Sequence, residues 1–477
     1  MVEFFGRDEE LAVLERIFNK ESIKTCMVYG RRRIGKTAML KKFCEGKRAL
    51  FIEMVRGSDS RNAEIISEAI SNLVGKDIEV SGTHEALSHI RKVCKDSKTV
   101  VVLDEIPYFI RGNDANAAEI QHLVDWVTSE TDSMIVICGS SISFMLEEVL
   151  DKKKPLYGRF AFNINLKPLP IAVTRKFHPS MDDGDLLRTY LTLGGVSAYH
   201  RLIGDTDYRQ AIDNYLMNEY SMISTDIPYD LAEEMKGKSD SAFAVLDSIS
   251  SGSSTYGEIA SRTGINDNEL TLCLRMLQEI GVVTKSVSVP EARKSNYYTI
   301  SDRLTSFYFD IVQRYSGVVK GSDSAFDSLY PMLATHLGKE FESYCRNIIR
   351  DNYPCTAVGS WWGSMPVRDA EGRIVKDING KVETTDVDID VTATVRNGQN
   401  KVDLFGECKF TSKRMGFESL NRLKERVRLL KGTYNVRLAL FSVSGFEADL
   451  EEYAEDNGIL LFGLDTLIGK APLPPIQ

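Results

Sequence analysis

The chain has 477 residues, 43% hydrophobic and 27% charged, with 59 Lys and Arg against 68 Asp and Glu for a formal net charge of −9. That length suits roughly three domains of about 150 residues; the apolar residues running throughout exclude intrinsic disorder, and the acidic balance excludes a uniformly basic nucleic-acid coat protein but not a local basic patch. Apolar runs stop short of the ~18 residues that span a bilayer, residues 1–10 have no signal-peptide core, and the eight cysteines show no C-x-x-C spacing, so neither a disulfide framework nor a zinc site is readable and a reducing cytoplasmic setting without a membrane partner is expected.

Residues 1–165 alternate strand and helix signals. Thr25 to Tyr29 is an apolar run, followed by a Gly- and Arg-rich turn and a helix through Phe43; Ala49 to Met54 reads as a strand, Glu64 to Leu73 and Glu85 to Val93 carry helical spacing, and Val100 to Leu103 and Met134 to Cys138 read as buried strands. Strands apolar on both faces with helices between them predict a parallel α/β sheet. Residues 166–238 become mainly helical. Residues 239–320 give a helix at Phe243 to Ile249, a second opened by a capping box of Thr255 with Glu258 and closed by Gly264, and a third over Asp267 to Ile280 closed by Gly281. Alternating residues at Val282 to Val289 and Asn296 to Ile300 complete a predicted winged helix-turn-helix. Residues 321–477 form a last α/β segment, with a helix at Leu337 to Ile349, strands at Val387 to Val395 and Lys401 to Phe410, a basic helix at Leu420 to Leu430, and strands at Arg437 to Val443 and Leu460 to Phe462.

The strongest motif is Gly30-Arg31-Arg32-Arg33-Ile34-Gly35-Lys36-Thr37, running into Ala38, which fits the phosphate loop G-x-x-x-x-G-K-[ST] after a strand and before a helix. Backbone N–H groups of such a loop converge on phosphate oxygens and the helix N-terminus adds positive potential. Lys36 would reach the β- and γ-phosphates of ATP and the Thr37 hydroxyl would hold Mg²⁺; the rival is a Gly-rich turn without a nucleotide. Val100-Val-Val-Leu-Asp104-Glu105 ends a strand in two carboxylates, Asp104 for the Mg²⁺ shell and Glu105 to polarise the attacking water. Ser140, with Ser141 close behind, stands where a strand end can sense the γ-phosphate or simply cap a helix. Arg159 would either supply positive charge to the transferring phosphate or form a structural ion pair.

With these motifs, Phe5-Gly6-Arg7 with Glu10-Leu11, Leu103-Asp-Glu-Ile-Pro-Tyr-Phe109 and Leu156-Tyr-Gly-Arg159 make the chain resemble the archaeal-type ATPases of the signal-transduction (STAND) branch of the AAA+ class. The resemblance implies a P-loop core, a helical lid and a winged helix. It also implies that Phe5, Gly6 and Arg7 lie near the adenine, and that the protein assembles either as a ring, as in AAA+ relatives, or as a monomer. Where that family shows Gly-Gly-x-Pro in its lid, this chain has Gly194-Gly195-Val196-Ser197, so no lid contact is transferred.

The helix at the recognition position carries Asp267, Glu269 and Glu279 against Arg275, which suits a packing or regulatory module better than a major-groove reader; Lys285, Arg293 and Lys294 keep DNA binding open. In the last segment Asp386, Asp388 and Asp390 alternate along one strand and so share a face. Asn397-Gly398 reads as a turn; a two-residue loop there places Asp388 opposite Glu407, and a four-residue loop places Asp390 there. Two carboxylates with Lys409 are the chemistry of a Mg²⁺-dependent phosphodiesterase, while an acidic solvent-facing hairpin is the rival. Asp388-Ile-Asp390-Val-Thr-Ala393 with Glu407-Cys-Lys409 resembles the PD-(D/E)XK restriction-endonuclease-like fold. That resemblance implies Asp390 as principal metal acid, Asp388 as secondary, Glu407 and Lys409 as partners, and Glu342 as a further acid from Leu337-Gly-Lys-Glu-Phe341-Glu342; Trp361-Trp362 stands where that family's domain often has a Trp pair. The basic stretch Lys413, Arg414, Arg422, Lys424, Arg426, Arg428 and Lys431 either tracks a phosphate backbone or forms a solvated helix face.

Taken together, the expected protein is an α/β P-loop NTPase that switches with Mg·ATP and ADP and acts through a nuclease-like C-terminal domain on DNA or RNA. Two readings stay beside it: an ATP-controlled scaffold for a protein partner with a silent C-terminal domain, and a winged-helix DNA-binding regulator.

Overall fold

The computed structural model describes every residue except 1, 2, 112, 236, 288–295, 368, 370–372, 378, 398, 399, 431, 432, 434 and 477. The expected Arg293, Lys294, Gly398 and Lys431, and the wing residues 288 and 289, therefore lie outside the described residues. The chain divides into two compact units, one of residues 1–176, 195–202 and 228–239, the other of residues 177–194, 203–227 and 240–477.

The first unit opens with helix α1 (Asp8–Lys20), then strand β1 (Thr25–Tyr29), α2 (Lys36–Cys44), β2 (Ala49–Glu53), α3 (Asp59–Val74) and α4 (Thr83–Asp96). It continues with β3 (Val100–Asp104), α5 (Ile106–Ile110), α6 (Asp114–Glu130), β4 (Met134–Gly139), α7 (Ile142–Leu150), β5 (Phe162–Asn165) and α8 (Ile171–Thr174). The strands pair in the order β2-β3-β4-β1-β5, and each pairing is parallel. Every residue of β3 and β4 is buried, as central strands covered by helices on both faces must be. Met27, Ile52, Val101, Leu103, Ile135 and Ile137 pack in one core with the inner faces of α3, α4 and α6. Local chemistry sets the helix starts: the Ser58 side chain accepts the Arg61 N–H and Asn113 accepts the Ala115 N–H, each satisfying an orphan donor. β5, α1 and α6 carried no signal among the expected elements.

Helices α9 (Asp183–Leu193), α10 (Ser197–Ile203), α11 (Tyr208–Ala211) and α12 (Met222–Glu234) supply the helical segment. α10 and the end of α12 count with the first unit. Gly195 is required sterically, because its carbonyl accepts the Leu169 N–H at 2.8 Å and a Cβ there would fall 1.9 Å from the Leu169 carbonyl oxygen.

In the second unit, α13 (Ser239–Ser250), α14 (Tyr256–Thr263) and α15 (Asp267–Glu279) precede an antiparallel hairpin of β6 (Val283–Val287) and β7 (Asn296–Ile300). The capping box is formed: Thr255 accepts the Glu258 N–H while Glu258 accepts the Thr255 N–H, and Gly264 ends α14 at φ 67°. After α16 (Arg303–Phe307), a π-helical turn at Tyr308–Val312 and α17 (Gln313–Tyr315), a helix far longer than expected, α18 (Ala325–Asn352), leads to β8 (Cys355–Pro366), β9 (Thr384–Asn397) and β10 (Asn400–Lys409). Then come α19 (Phe417–Val427), β11 (Val436–Ser442), α20 (Ala448–Asn457), β12 (Leu460–Phe462) and α21 (Leu464–Leu467). The sheet order is β12-β11-β10-β9-β8, antiparallel at β8/β9 and β9/β10 and parallel at β10/β11 and β11/β12. Phe405, Leu440, Leu420, Leu423 and Leu450 bring α19 and α20 onto one face of it. β8 was not foreseen, because its small and polar residues hide the alternation. Among the described residues, no helix is long and apolar enough to cross a membrane.

Candidate functional site

Because β4 lies between β1 and β3, the loops leaving these three strands emerge side by side: Tyr29 pairs with Gly139, and Leu103 with Ile137. That topology gathers the phosphate-loop motif, the paired acids and the serines of the sequence into one place.

The loop is shaped by left-handed backbone at Gly30 (φ 153°), Arg33 (φ 63°) and Gly35 (φ 101°). Gly30 admits no side chain, since a Cβ would stand 2.8 Å from the Leu166 carbonyl oxygen. Gly35 directly precedes α2, so the α2 N-terminus points its unpaired N–H groups into the loop. Lys36 is buried; its ammonium donates to the carbonyls of Gly30 at 2.9 Å and Arg31 at 3.0 Å, spanning the loop from beneath. Ile34 is buried, its N–H bonded to the Arg31 carbonyl, and Ala38 lies exposed on the first turn of α2. The Arg33 carbonyl accepts the Ser197 hydroxyl at 3.4 Å.

Phe5 and Gly6 lead into Arg7, which itself sits at φ 72°. Its buried guanidinium donates to the Ile34 carbonyl at 3.0 Å, the Lys167 carbonyl at 2.7 Å and Glu10 at 3.1 Å. Arg7 thus clamps the outer turn of the loop.

The Thr37 hydroxyl donates to Asp104 Oδ2 at 2.6 Å, tying the start of α2 to the end of β3. Asp104 is fully buried, and its other oxygen accepts the Glu105 N–H at 3.0 Å. Glu105 occupies a left-handed backbone position (φ 50°), which turns its carboxylate away from Asp104 and toward Ser140. There Oε2 accepts the Ser140 hydroxyl at 2.9 Å and the Ser140 N–H at 3.3 Å. Burial raises the Glu105 carboxyl above its ordinary value, against the lowering pull of Lys36 and the Ser140 hydroxyl, and the charge of Asp104 pushes it up further. A hydroxyl and a carboxylate oxygen at one point form an all-oxygen donor set that fits Mg²⁺.

Arg159 forms an ion pair with Asp125 of α6 at 3.0 Å and donates to the Tyr157 carbonyl. Ser141 caps nothing itself; its hydroxyl accepts from Arg111 and donates to Glu234. Glu234 accepts the Ile142 N–H at 3.0 Å, and its neighbour Glu233 lies 3.4 Å from Arg32. These two acids and Tyr229 went unnoticed in the sequence. Their only signal was the i, i+4 spacing of Tyr229 and Glu233 on one helical face.

In the second unit the paired strands β9 and β10 fix the register of the acids. Asn397 pairs with Asn400, and the ladder runs to Val391 opposite Gly406. One step further, Asp390 rather than Asp388 faces Glu407; the parity that puts all the acids on one side survives, and the identity of the opposing acid changes. Asp390 is buried, accepts the Cys408 N–H at 2.7 Å, and is pushed up to about 8, by burial first and then by Glu342 and Glu407. Glu407 is 1% exposed, with one oxygen 2.7 Å from Lys409 and the other 2.9 Å from Arg426. Arg426 also stands 3.9 Å from Asp388, and Glu342 lies 3.9 Å from Arg346. Both oxygens of Glu407 thus hold cations, and among the described residues no three His, Cys, Asp or Glu side chains converge as a metal cage. The acids, with Arg426 inserted, do not fit an open Mg²⁺ site. They border a cleft of about 340 Å³ between the β6/β7 hairpin and the sheet, where Tyr297 meets Trp362 with ring centroids 4.5 Å apart. Of the basic stretch, Arg426 turns inward while Lys413, Arg414, Arg422 and Arg428 are exposed.

Residues 4–186 match the family described as an ATPase domain predominantly from Archaea, and residues 308–422 match a family of archaeal and bacterial proteins of unknown function. The chain is 24% identical over 371 residues to an uncharacterized protein of Methanocaldococcus jannaschii, covering 75% of this chain and 82% of that one. It is 48% identical over 48 residues to an uncharacterized ATP-binding protein of the same organism, 10% of this chain and 81% of that one. In three dimensions it is similar to a Walker-type ATPase of Pyrococcus abyssi, with a TM-score of 0.52 at 17% identity over 65% of this chain and 96% of that one.

Proposed function

We propose, from the premise that this chain is a P-loop ATPase of the archaeal AAA+ type, that it works as a nucleotide-dependent switch whose effector end is a nuclease-like domain at residues 321–477. The observation that carries the reading is the bond from Thr37 to Asp104, with Lys36 spanning the loop beside it. Lys36 would turn from the loop carbonyls to the β- and γ-phosphates, and Thr37 and Asp104 would hold magnesium. Magnesium, when bound, neutralises charge on the phosphate oxygens. Glu105, raised by burial, suits a group that takes a proton from water, and its bond to Ser140 keeps it from that water until Ser140 yields. Slow turnover follows, as a switch requires.

The test is Lys36→Ala, followed by calorimetric titration with Mg·ATP and by phosphate release. Loss of measurable ATP affinity is expected; unchanged affinity and turnover would refute the site.

Residues 239–320 read as a winged helix that packs rather than reads duplex DNA, since Asp267, Glu269 and Glu279 of α15 outnumber Arg275. Duplex binding that weakens steeply with salt would overturn that assignment. For the C-terminal domain, the facing Asp390, Glu407 and Lys409 support the nuclease-like reading. The occupation of Glu407 by Arg426 favours the second reading, a silent domain on a protein-binding scaffold. DNA and RNA cleavage is compared for wild type, Asp390→Ala and Lys409→Ala with Mg²⁺ or Mn²⁺ and ATP. Cutting by wild type alone supports the nuclease, and no cutting, or equal cutting by all three, supports the scaffold.

A further inference from the structure

The last two turns of α12 hold the phosphate loop from outside. Glu233 Oε2 lies 3.4 Å from Arg32 Nη1, and the Arg32 guanidinium carbon lies 4.8 Å from the centroid of the Tyr229 ring. The second oxygen of Glu233 accepts the Tyr108 hydroxyl at 3.5 Å, from the helix that follows Asp104 and Glu105. One residue on, Glu234 is anchored differently. It accepts the N–H groups of Ile142 and Ser143 at 3.0 and 3.4 Å and the Ser143 hydroxyl at 3.0 Å, at the start of the helix that follows Ser140. Neighbouring acids therefore grip two parts of the nucleotide site with unequal strength. The Glu234 contacts are several and end on backbone, whereas the Glu233 contact with Arg32 is single and long, between side chains 19% and 36% exposed. Such a pair contributes little and is readily exchanged. A phosphate offers a guanidinium two oxygens and more charge than one carboxylate oxygen at that distance. Arg32 lies between the two glycines of the loop, the segment that would wrap the phosphates of a bound triphosphate.

We propose that Glu233 competes with the terminal phosphate of ATP for Arg32, so that the segment from Tyr229 to Glu234 distinguishes triphosphate from diphosphate. This rests on the phosphate-loop reading above. When ATP is bound, Arg32 leaves Glu233 and Tyr229 for the terminal phosphate while Glu234 stays on its helix. With ADP, which lacks that group, Arg32 stays with Glu233. Glu233 therefore lowers ATP affinity and leaves ADP affinity nearly untouched.

The experiment uses the full chain with Glu233→Gln, which keeps the side chain's shape and removes its charge. Calorimetric titration with Mg·ATP and Mg·ADP is expected to show ATP binding about two- to five-fold tighter, the range expected for one partly exposed ion pair, with ADP unchanged. In Arg32→Gln/Glu233→Gln that gain over Arg32→Gln alone disappears. Equal shifts for both nucleotides, or none, overturn the proposal. A second measurement needs no variant: amide exchange over residues 228–235 should be faster with Mg·ATP than with Mg·ADP, and identical exchange counts against the competition. Lys36→Ala separates the two layers. If it still binds ATP, the loop reading fails; if it does not and Glu233→Gln leaves the ATP-to-ADP ratio alone, only the competition fails.

Discussion

Arg426 is the one cation that enters the acid-lined floor of the second unit from α19, and its removal tests how that floor is held together. Glu407 is 1% exposed and, among the described residues, has Lys409 and Arg426 within ion-pair distance, at 2.7 and 2.9 Å. Removing one partner of a buried pair costs about 3–5 kcal/mol when the remaining charge has no other partner. Here Lys409 stays, itself about a third exposed, so Arg426→Ala is expected to cost about 2–3 kcal/mol, below that range. For a unit of this size that corresponds to a drop of roughly 3–5 °C in the melting transition. The assay is a thermal melt followed by near-ultraviolet dichroism at neutral pH, with chelator and then with Mg²⁺ or Mn²⁺. With Arg426 gone, the face shared by Asp388, Asp390 and Glu407 keeps Lys409 but frees one oxygen of Glu407, so the divalent cation should restore most of the loss in the variant and shift the wild type little. A variant as stable as the wild type would show that Glu407 needs no second cation. A loss that divalent ions leave unchanged would show that these acids cannot take a metal even when the arginine is removed.

Two further outcomes follow from local contacts. Thr255→Ala removes a cap that accepts the Glu258 N–H and should cost about 1 kcal/mol, seen as faster amide exchange across Tyr256–Thr263; unchanged exchange would mean the reciprocal Glu258 bond alone holds the turn. Asp310 is pushed up by burial, but its bonds to His336 at 2.9 Å and Ser250 at 2.5 Å, with the charge of Lys339, outweigh this and hold it below the ordinary value. A depressed carboxylate stabilises the fold above the unfolded value of about 3.9 and loses that contribution as pH falls through the lower folded value. Asp310→Asn should therefore lower the melting temperature at pH 6 and converge on the wild type as the pH falls below about 4; a gap that stays constant with pH would refute the linkage.

Much of the first unit was legible because its signals are short-range. The strand at Thr25 to Tyr29 and the phosphate loop sit where their residues predict, since a fully apolar run and a Gly-x-x-x-x-Gly-Lys-Thr spacing act within a few residues. Strand β8 escaped because Gly359, Ser360, Gly363 and Ser364 dilute its pattern, and it is a strand because β9 supplies its hydrogen bonds. Arg426 was visible only as one charge in a basic run. It lies three residues beyond Leu423 on the buried side of α19, a helical offset that marks an inward-facing arginine once an acid is known to lie beneath.

The amino-acid order alone determined which groups could do chemistry: the lysine and threonine of the loop, the acid pair ending β3, and the alternating aspartates, because each is a matter of residue type and spacing along one element. Tertiary structure decided which of them meet. The pairing of Asn397 with Asn400 chose Asp390 over Asp388, the path of α12 put Glu233 on Arg32, and the fold brings Arg159 against Asp125. The contacts of Arg159 with Asp125 and of Arg32 with Glu233 join residues 34 and 201 positions apart, and no periodicity within a single element can encode a distance of that kind.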